Sequence, residues 1–408
     1  MKIIYCPTMY TDIENELRTT KNPNPVSGHK FQENLIKGLK ACKAPVTVIN
    51  IPRIRSFPNS RRIIVKKQAF RIDNHMSGKT IGCINLPVFN YITKYINLVK
   101  ELDKLVTNKK ESYIFLTFNS YFPQTLVFNH LKKKKRGYKI YRCDVIGDLH
   151  SGFGIKSHIK GIKGRLIDCL EDQQDKSVKD FELFVFLAEA MAEFYHADKE
   201  RYTIIEAIYS CEDKNADIQV YHDNEYEKNK TVFYAGSICR EYGMEHLLKA
   251  FSLIDSDEYR LLIAGGGDNP DLINRYCKND KRITYLGIVT PEEVRRYQEM
   301  ATVLISPRLP DEGFVKYSFP SKTLECLASG KPYIAHKLPC EPPEYADYIQ
   351  YAHGSTDQDL KEAIVRVCEK SAADREMIGR KARKFVLEQK NPKAMCSKLV
   401  DLINNNVN

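Results

Sequence analysis

The chain has 408 residues, 43% of them hydrophobic and 28% charged. That composition excludes a disordered chain and leaves room for two or three domains. The formal charge of +11 is unevenly spread: residues 1–204 carry 35 Lys+Arg against 20 Asp+Glu, and residues 205–408 carry 28 against 32. A basic first half beside a mildly acidic second half is an electrostatic footprint for something anionic: a membrane surface, a lipid phosphate or nucleic acid. No apolar run reaches the ~18 residues of a spanning helix. The N-terminus enters a strand-like run directly, with no secretory h-region before a cleavage site. The 12 cysteines are scattered without CxxC or zinc spacing, which reads as packed thiols in a reducing, cytoplasmic compartment.

In chain order, Lys2 to Cys6 reads as a strand, followed by the polar loop Asn22-Pro-Asn-Pro-Val-Ser-Gly28 and a helix over Phe31 to Lys40. Further strands are expected at Pro45–Ile51, Tyr113–Phe118, Lys139–Cys143, Phe181–Phe186 and Tyr202–Glu206, with a helix from Asn90 to Val106. Strands alternating with helices indicate βα units on a parallel sheet. Residues 210–230 are polar and read as a linker. A second βα series follows. Its strands are Thr231–Ala235, Tyr259–Ala264, Ile283–Gly287, Thr302–Ser306 and Lys331–Ala335. Met244 to Ile254 is an amphipathic helix. Thr290-Pro-Glu-Glu293 carries a capping box with proline in the first turn. Ser321 to Ala328 is a helix closed by Gly330, with Ser321 as its expected N-cap. Charged helices fill 357–390, and a last helix runs from about 391 to 405.

Two βα domains joined by a linker should face each other across a cleft at the strand C-terminal edges, where α/β folds bind ligands. Residues 1–210 form the first domain, with a C-terminal helix of 386–408 packing back onto it, and 211–385 form the second. The densest candidate segment runs from Ser306-Pro-Arg308 to Lys331-Pro332. A helix beginning near Ser321 would aim free N–H groups at a diphosphate. Lys322 opposes the helix dipole there, which points to an anionic ligand. Glu325, one turn in, could accept from ribose hydroxyls. The same residues also describe a capped helix with a surface Lys–Glu pattern.

Tyr234-Ala-Gly-Ser237 with Tyr242-Gly243 and Leu247-Leu-Lys-Ala-Phe251, then Leu262-Ile-Ala-Gly-Gly266, Ile283-Thr-Tyr-Leu-Gly287, Ser318-Phe-Pro-Ser-Lys-Thr-Leu-Glu325 and Ala328-Ser-Gly-Lys-Pro332, resembles glycosyltransferase family 4. The resemblance implies an α/β chain of the GT-B fold, with two Rossmann-like domains. It implies a retaining transfer from a nucleotide sugar, most simply UDP-linked, to a saccharide or lipid-linked saccharide in surface polysaccharide or glycoconjugate synthesis. It implies that Glu325 holds the nucleotide ribose and that amides from Ser318 through Phe319 and Pro320 to Ser321 receive the diphosphate. Gly287 and Val289 should line the base pocket, and Gly236 and Ser237 should lie under the phosphates. In the first half, Gly28 and His29 sit where the family's Gly-rich loop opens a helix, on the acceptor side. Asp148 and His150 sit where the family places a catalytic residue. The chain departs from the pattern at Tyr317, which takes the place of a glutamate, and at Ser237 and Tyr242, which take the places of a basic pair. Lys322, with Arg308 or Arg240, is then expected to stabilise the leaving group. The two lobes should open and close around the donor.

Other signals are discounted. Gly265-Gly-Gly267-Asp268 lacks P-loop spacing and reads as a turn. Asp255-Ser-Asp257 precedes a strand and reads as a solvated turn, so no obligatory metal and no cofactor are expected. Lys132-Lys-Lys-Lys-Arg136, Arg61-Arg62, Lys66-Lys67 and the segment 155–167 suggest reversible contact with the inner face of an anionic membrane rather than with nucleic acid. A nucleotide-sugar epimerase and a non-catalytic nucleotide-binding subunit are the competing functions.

Overall fold

The computed structural model describes residues 1–10, 16, 19–21, 27–73, 76–119, 122–147, 181–211, 229–267, 270–311 and 313–407. They fall into two compact units: residues 1–208 with 392–408, and residues 209–391.

The first unit is built on β1 (Lys2–Cys6), β2 (Thr8–Met9), β3 (Val46–Pro52), β4 (Ile64–Val65), β5 (Gln68–Asp73), β6 (Met76–Thr80), β7 (Cys83–Ile84), β8 (Ser112–Phe118), β9 (Lys139–Ile146), β10 (Leu183–Phe186) and β11 (Tyr202–Ile204). Its main sheet runs β11-β10-β9-β8-β1-β3-β6-β5, with β2 beside β3. Every pairing in it is parallel except β5 with β6. The central strands are apolar on both faces, as a sheet covered by helices on both sides requires. Around it lie α1 (Ser27–Ala41), α2 (Phe89–Leu105), α3 (Phe122–Lys134) and α4 (Glu189–Phe194). The sequence reading placed no strands between residues 60 and 85. The structure adds the β5–β6 hairpin to the sheet edge and pairs β4 with β7.

The second unit holds a parallel sheet in the order β14-β13-β12-β15-β16-β17. Its strands are β12 (Lys230–Ala235), β13 (Tyr259–Ala264), β14 (Ile283–Gly287), β15 (Val303–Ser306), β16 (Tyr333–Ala335) and β17 (Gln350–Tyr351). The helices are α5 (Met244–Ser252), α6 (Pro270–Asn279), α7 (Pro291–Met300), α8 (Lys322–Ala328), α9 (Asp357–Cys368) and α10 (Ala372–Gln389). Thr290 forms the expected capping box with Glu293 at the start of α7. Val232, Leu261, Ile263, Val303 and Ile334 of the sheet meet Leu247, Phe251, Leu360 and Ile364 of α5 and α9 in one buried cluster.

The last helix, α11 (Pro392–Asn406), returns to the first unit. Met395, Cys396, Leu399 and Ile403 join the core formed by Ile3, Tyr5, Leu35 and Leu39. Gly38 permits the α1–α11 contact, because a Cβ there would lie 2.1 Å from the Cys396 Sγ. Among the described residues no helix is long and apolar enough to cross a membrane.

Candidate functional site

In the second unit, the loops after β12, β13 and β14 interlock at the strand C-terminal edge. The Gly236 N–H donates to the Ala264 carbonyl at 3.0 Å, and the Ile238 N–H to the Gly266 carbonyl at 2.9 Å. The Gly265 N–H donates to the Gly287 carbonyl at 2.8 Å. Gly265 has φ +140°, and a Cβ there would lie 1.8 Å from the Gly236 carbonyl oxygen. The glycine run is therefore a packing device that lets two loops touch, and its geometry is set by backbone rather than by a ligand. On this platform Ser237 and Arg240 are exposed, while Gly236, Gly287 and Val289 are half-buried. Ile288 is 85% exposed, and its side chain comes within 3.0 Å of where a Gly266 Cβ would stand. The sequence reading named the residues on either side of Ile288 and missed it. Its signal was an apolar residue directly after a strand-ending glycine.

Lys322, the first residue of α8, donates from Nζ to the Ala235 carbonyl at 2.9 Å, so its ammonium sits at the end of β12 beside Gly236. Glu325 is exposed on the same helix. Ser321 departs from expectation. Its own backbone is already helical at φ −55° and ψ −28°, and its hydroxyl caps nothing. An N-cap needs an extended backbone so that the hydroxyl can fold back onto the first turn. The Thr323 N–H is already bonded to the Pro320 carbonyl at 2.9 Å. With seven residues, α8 has a short dipole and one orphan donor fewer than a free helix end. Phe319 is named above for its backbone amide, and its side chain faces the core. It is buried against Tyr345, ring centres 5.3 Å apart, and anchors the segment to the core. Tyr317 ends a single turn, Val315–Tyr317, with the Lys316 ammonium 4.8 Å from its ring centre.

Arg308 emerges as the central cation. It follows β15 and is 5% exposed. Its guanidinium lies over the Phe314 ring at 4.6 Å and the Tyr242 ring at 5.2 Å. Nη1 donates to the Ser318 carbonyl at 3.3 Å. Nε and Nη2 are buried and have no hydrogen-bond partner among the described residues. Burial pulls the guanidinium pKa down. Gly243 makes the arrangement possible. It has φ +79°, and a Cβ there would lie 2.0 Å from the Pro307 carbonyl oxygen, so only glycine lets Tyr242 approach Arg308 this closely. A desolvated cation with unanswered N–H groups is costly unless an anion meets it.

Nearby, the third residue of α5 joins a buried proton chain that the sequence reading did not find. Asp357 Oδ1 lies 2.5 Å from His246 Nδ1, His246 Nε2 lies 3.0 Å from His336 Nε2, and His336 Nδ1 lies 2.8 Å from the Gly354 carbonyl oxygen. The two outer oxygens only accept, so both Nδ1 atoms carry hydrogen. Burial, reinforced by His246, holds the His336 pKa below the usual histidine value.

In the first unit, Gly28 and His29 lie in the first turn of α1. Gln32 ties that turn to β2 by donating to the Gly28 carbonyl at 2.8 Å and accepting from the Thr8 N–H at 2.8 Å. The Tyr10 N–H donates to His29 Nδ1 at 3.3 Å, which places the imidazole hydrogen on Nε2. Burial, with Arg53 beside it, lowers the His29 pKa, so the ring is neutral near pH 7. Arg53 follows β3 directly. Its guanidinium carbon is 5.9 Å from the Tyr10 ring centre, and its Nη1 comes within 3.2 Å of a Cβ built on Gly28. Asn119, at φ +45°, accepts from the Gly147 N–H at 2.6 Å. The Phe118 ring lies against both Gly28 and Gly147. Arg53 and Asn119 were missed by the sequence reading, and both stand where a strand ends. Asp148 and His150 lie outside the described residues, as do the proposed basic segment 155–167 and most of the linker.

Two units, each built on a mainly parallel sheet, and a final helix returned to the first, define the GT-B glycosyltransferase fold. A sucrose-phosphate synthase from Thermosynechococcus elongatus shares it at 15% identity and a TM-score of 0.61, with 99% of this chain and 98% of that one covered. An Anabaena protein solved in complex with UDP matches at 11% identity and a TM-score of 0.60, over 99% of this chain and 100% of that one. A lipopolysaccharide outer core galactosyltransferase in its apo form matches at 13% identity and a TM-score of 0.62, over 99% of both chains. Within the second unit, residues 229–370 match the family described as glycosyl transferases group 1. No curated protein matches it by sequence.

Proposed function

We propose that the protein transfers a sugar from a UDP-sugar to a saccharide or lipid-linked saccharide, with retention, as the resemblance to family 4 implies. The observation that carries this reading is Arg308: a buried guanidinium whose Nε and Nη2 have no partner among the described residues, hydrogen-bonded to Ser318 of the segment expected to receive a diphosphate. Lys322, at the end of β12, supplies the second positive charge. The leaving UDP gains negative charge as the glycosidic bond breaks, and fixed cations in a desolvated site stabilise that charge more than water does. In this reading Arg308 and Lys322 do the work a metal does elsewhere, and transfer needs no added divalent ion. Glu325 takes the ribose hydroxyls, and Ile288 offers an apolar face to the base. His29, Arg53 and Asn119 orient the acceptor, and Asp148 or His150 completes that side.

Support for UDP comes from the Anabaena neighbour, which was solved with UDP. The test is a thermal-shift panel of nucleoside diphosphates and their sugars, because a ligand that binds the native state raises its apparent stability. UDP and one UDP-sugar should raise the midpoint, with and without EDTA. If no nucleotide does so, the reading fails. Sugar interconversion without an acceptor would point to an epimerase instead. Binding without turnover across a panel of acceptors would point to a non-catalytic subunit.

A further inference from the structure

The basic block Lys132–Arg136 is largely spent within the fold. Lys132 pairs with Glu182 at 2.7 Å, and Lys134 and Lys135 pair with Asp103 at 3.1 and 3.0 Å. The charge left over lies elsewhere. Residues 54–100 hold nine basic residues and one acidic residue, Asp73. Among the described residues, Arg55, Arg61, Lys66 and Lys100 are exposed and form no ion pair.

The same stretch exposes an apolar surface. Ile63, Ile64 and Ile84 stand out from the β4–β7 pair, with Ile64 directly opposite Ile84 and 65% exposed. Phe89, Ile92 and Ile96 stand out from α2, with Phe89 54% exposed. Their spacing puts these three on one helix face, and Lys100 continues it a turn further on. The opposite face, with Asn90, Lys94, Leu98 and Leu102, is the one the core buries. The two apolar groups are one surface. The Ile84 N–H donates to Thr93 Oγ1 of α2 at 3.0 Å, and the Asn85 N–H donates to the Ile63 carbonyl at 2.6 Å. Asn85 Nδ2 also donates to the Arg55 and Arg62 carbonyls at 2.8 and 2.9 Å, which fixes the cationic loop beside the isoleucines. α2 is about 25 Å long at the usual helical rise, so the face is extended.

We propose that this face, the β4–β7 pair with the outer side of α2, is a docking surface for an anionic lipid bilayer. An apolar stripe edged by unpaired cations has the chemistry of an interfacial segment: the isoleucines and Phe89 enter the acyl boundary, while Arg61, Lys66 and Lys100 meet headgroup phosphates. A second copy of the chain is a poorer occupant. Self-pairing would bring two surfaces of the same strongly positive sign together and leave the cations unanswered.

The test is cosedimentation with vesicles of mixed phosphatidylglycerol and phosphatidylcholine at low salt, beside vesicles of phosphatidylcholine alone. The wild type should bind the mixed vesicles and bind them less as salt rises. The double variant Ile64→Asp/Phe89→Asp, folded by circular dichroism, should lose about tenfold or more in partitioning. The chain has no tryptophan, so Ile92→Trp places one reporter on the surface. Its fluorescence should be quenched by lipids brominated along the acyl chain. Absence of wild-type binding overturns the proposal, and so does equal binding by the double variant. Binding without quenching assigns the contact to another basic face and overturns it too. A wild-type dimer in light scattering that the double variant dissolves would give the face to a second copy. None of these readouts depends on sugar transfer, so their failure leaves the transferase reading standing.

Discussion

Arg308 and Lys390 are both buried cations of the second unit, and both lie over two aromatic rings. Lys390 is 2% exposed, with its ammonium 4.7 Å from the Tyr345 ring centre and 5.2 Å from that of Phe385. It also meets the Glu344 carboxylate at 2.9 Å. Among the described residues, Arg308 has the rings and one carbonyl, and no carboxylate. Burial and aromatic contact alone therefore do not mark a functional cation. What separates the two is whether the fold supplies the counter-charge. Where it does, the cation holds structure. Where it leaves N–H groups unanswered, the missing anion is expected to be the ligand.

The comparison can be broken by substitution, and the largest effect is expected at the structural cation. Glu344→Ala leaves the Lys390 ammonium buried without its carboxylate and should cost about 3 kcal/mol of stability, read by urea unfolding, with UDP affinity of the folded fraction unchanged. Arg308→Met should do the reverse. It removes a desolvated charge that meets no carboxylate among the described residues, so the unfolding midpoint should hold or rise. Calorimetric UDP affinity should fall about a hundredfold, or about 2.7 kcal/mol. If Arg308→Met unfolds the protein and leaves UDP binding intact, the distinction is wrong. Glu325→Ala, at an exposed position, should weaken nucleotide-sugar turnover by about tenfold, or about 1.4 kcal/mol, without a change in melting.

The smallest effect concerns pH. His336 has a folded pKa held below the usual value of 6.5 by burial, with His246 reinforcing it. The unfolded chain then takes up a proton that the folded chain resists. The contribution of His336 is thus complete above pH 6.5 and is lost as pH falls below it. Glu341 works in the opposite sense: burial pushes its carboxyl up from 4.5 to about 7, so its contribution falls as pH rises across that interval. Comparing wild type with His336→Gln cancels the Glu341 term. The variant should lose less stability than wild type between neutral pH and pH 5.5, and parallel pH profiles would remove the histidine from the account.

The second unit was readable from sequence because its first three strands are short apolar runs that end at a glycine, each with a helix after it. Thr290 to Glu293 is the clearest case. The β5–β6 hairpin was not readable. Gln68 to Asp73 and Met76 to Thr80 contain no apolar run, and their strand state comes from pairing with each other and with β3. In the site, motif carried Lys322 and Glu325. It could only name Arg308 as an assisting cation, because the Tyr242 and Phe314 rings that bury it come from separate loops. Ser321 misled for a local reason. Serine before an apolar run suggests a cap, but the preceding Phe319 is pinned in the core and Pro320 already receives the Thr323 N–H, so the turn begins one residue early. Arg53 and Asn119 belong to no pattern. They matter only because β3 and β8 flank β1 and both end beside α1.

The return of α11 to the first unit has a consequence for synthesis. Met395, Cys396, Leu399 and Ile403 close a core begun by Ile3 and Tyr5, and Tyr209–Asn391 forms a separate unit between them. A ribosome must therefore finish the inserted unit before the outer one can complete its own interior. Nascent chains stalled short of residue 392 should present a closed second half and an unfinished, chaperone-binding first half.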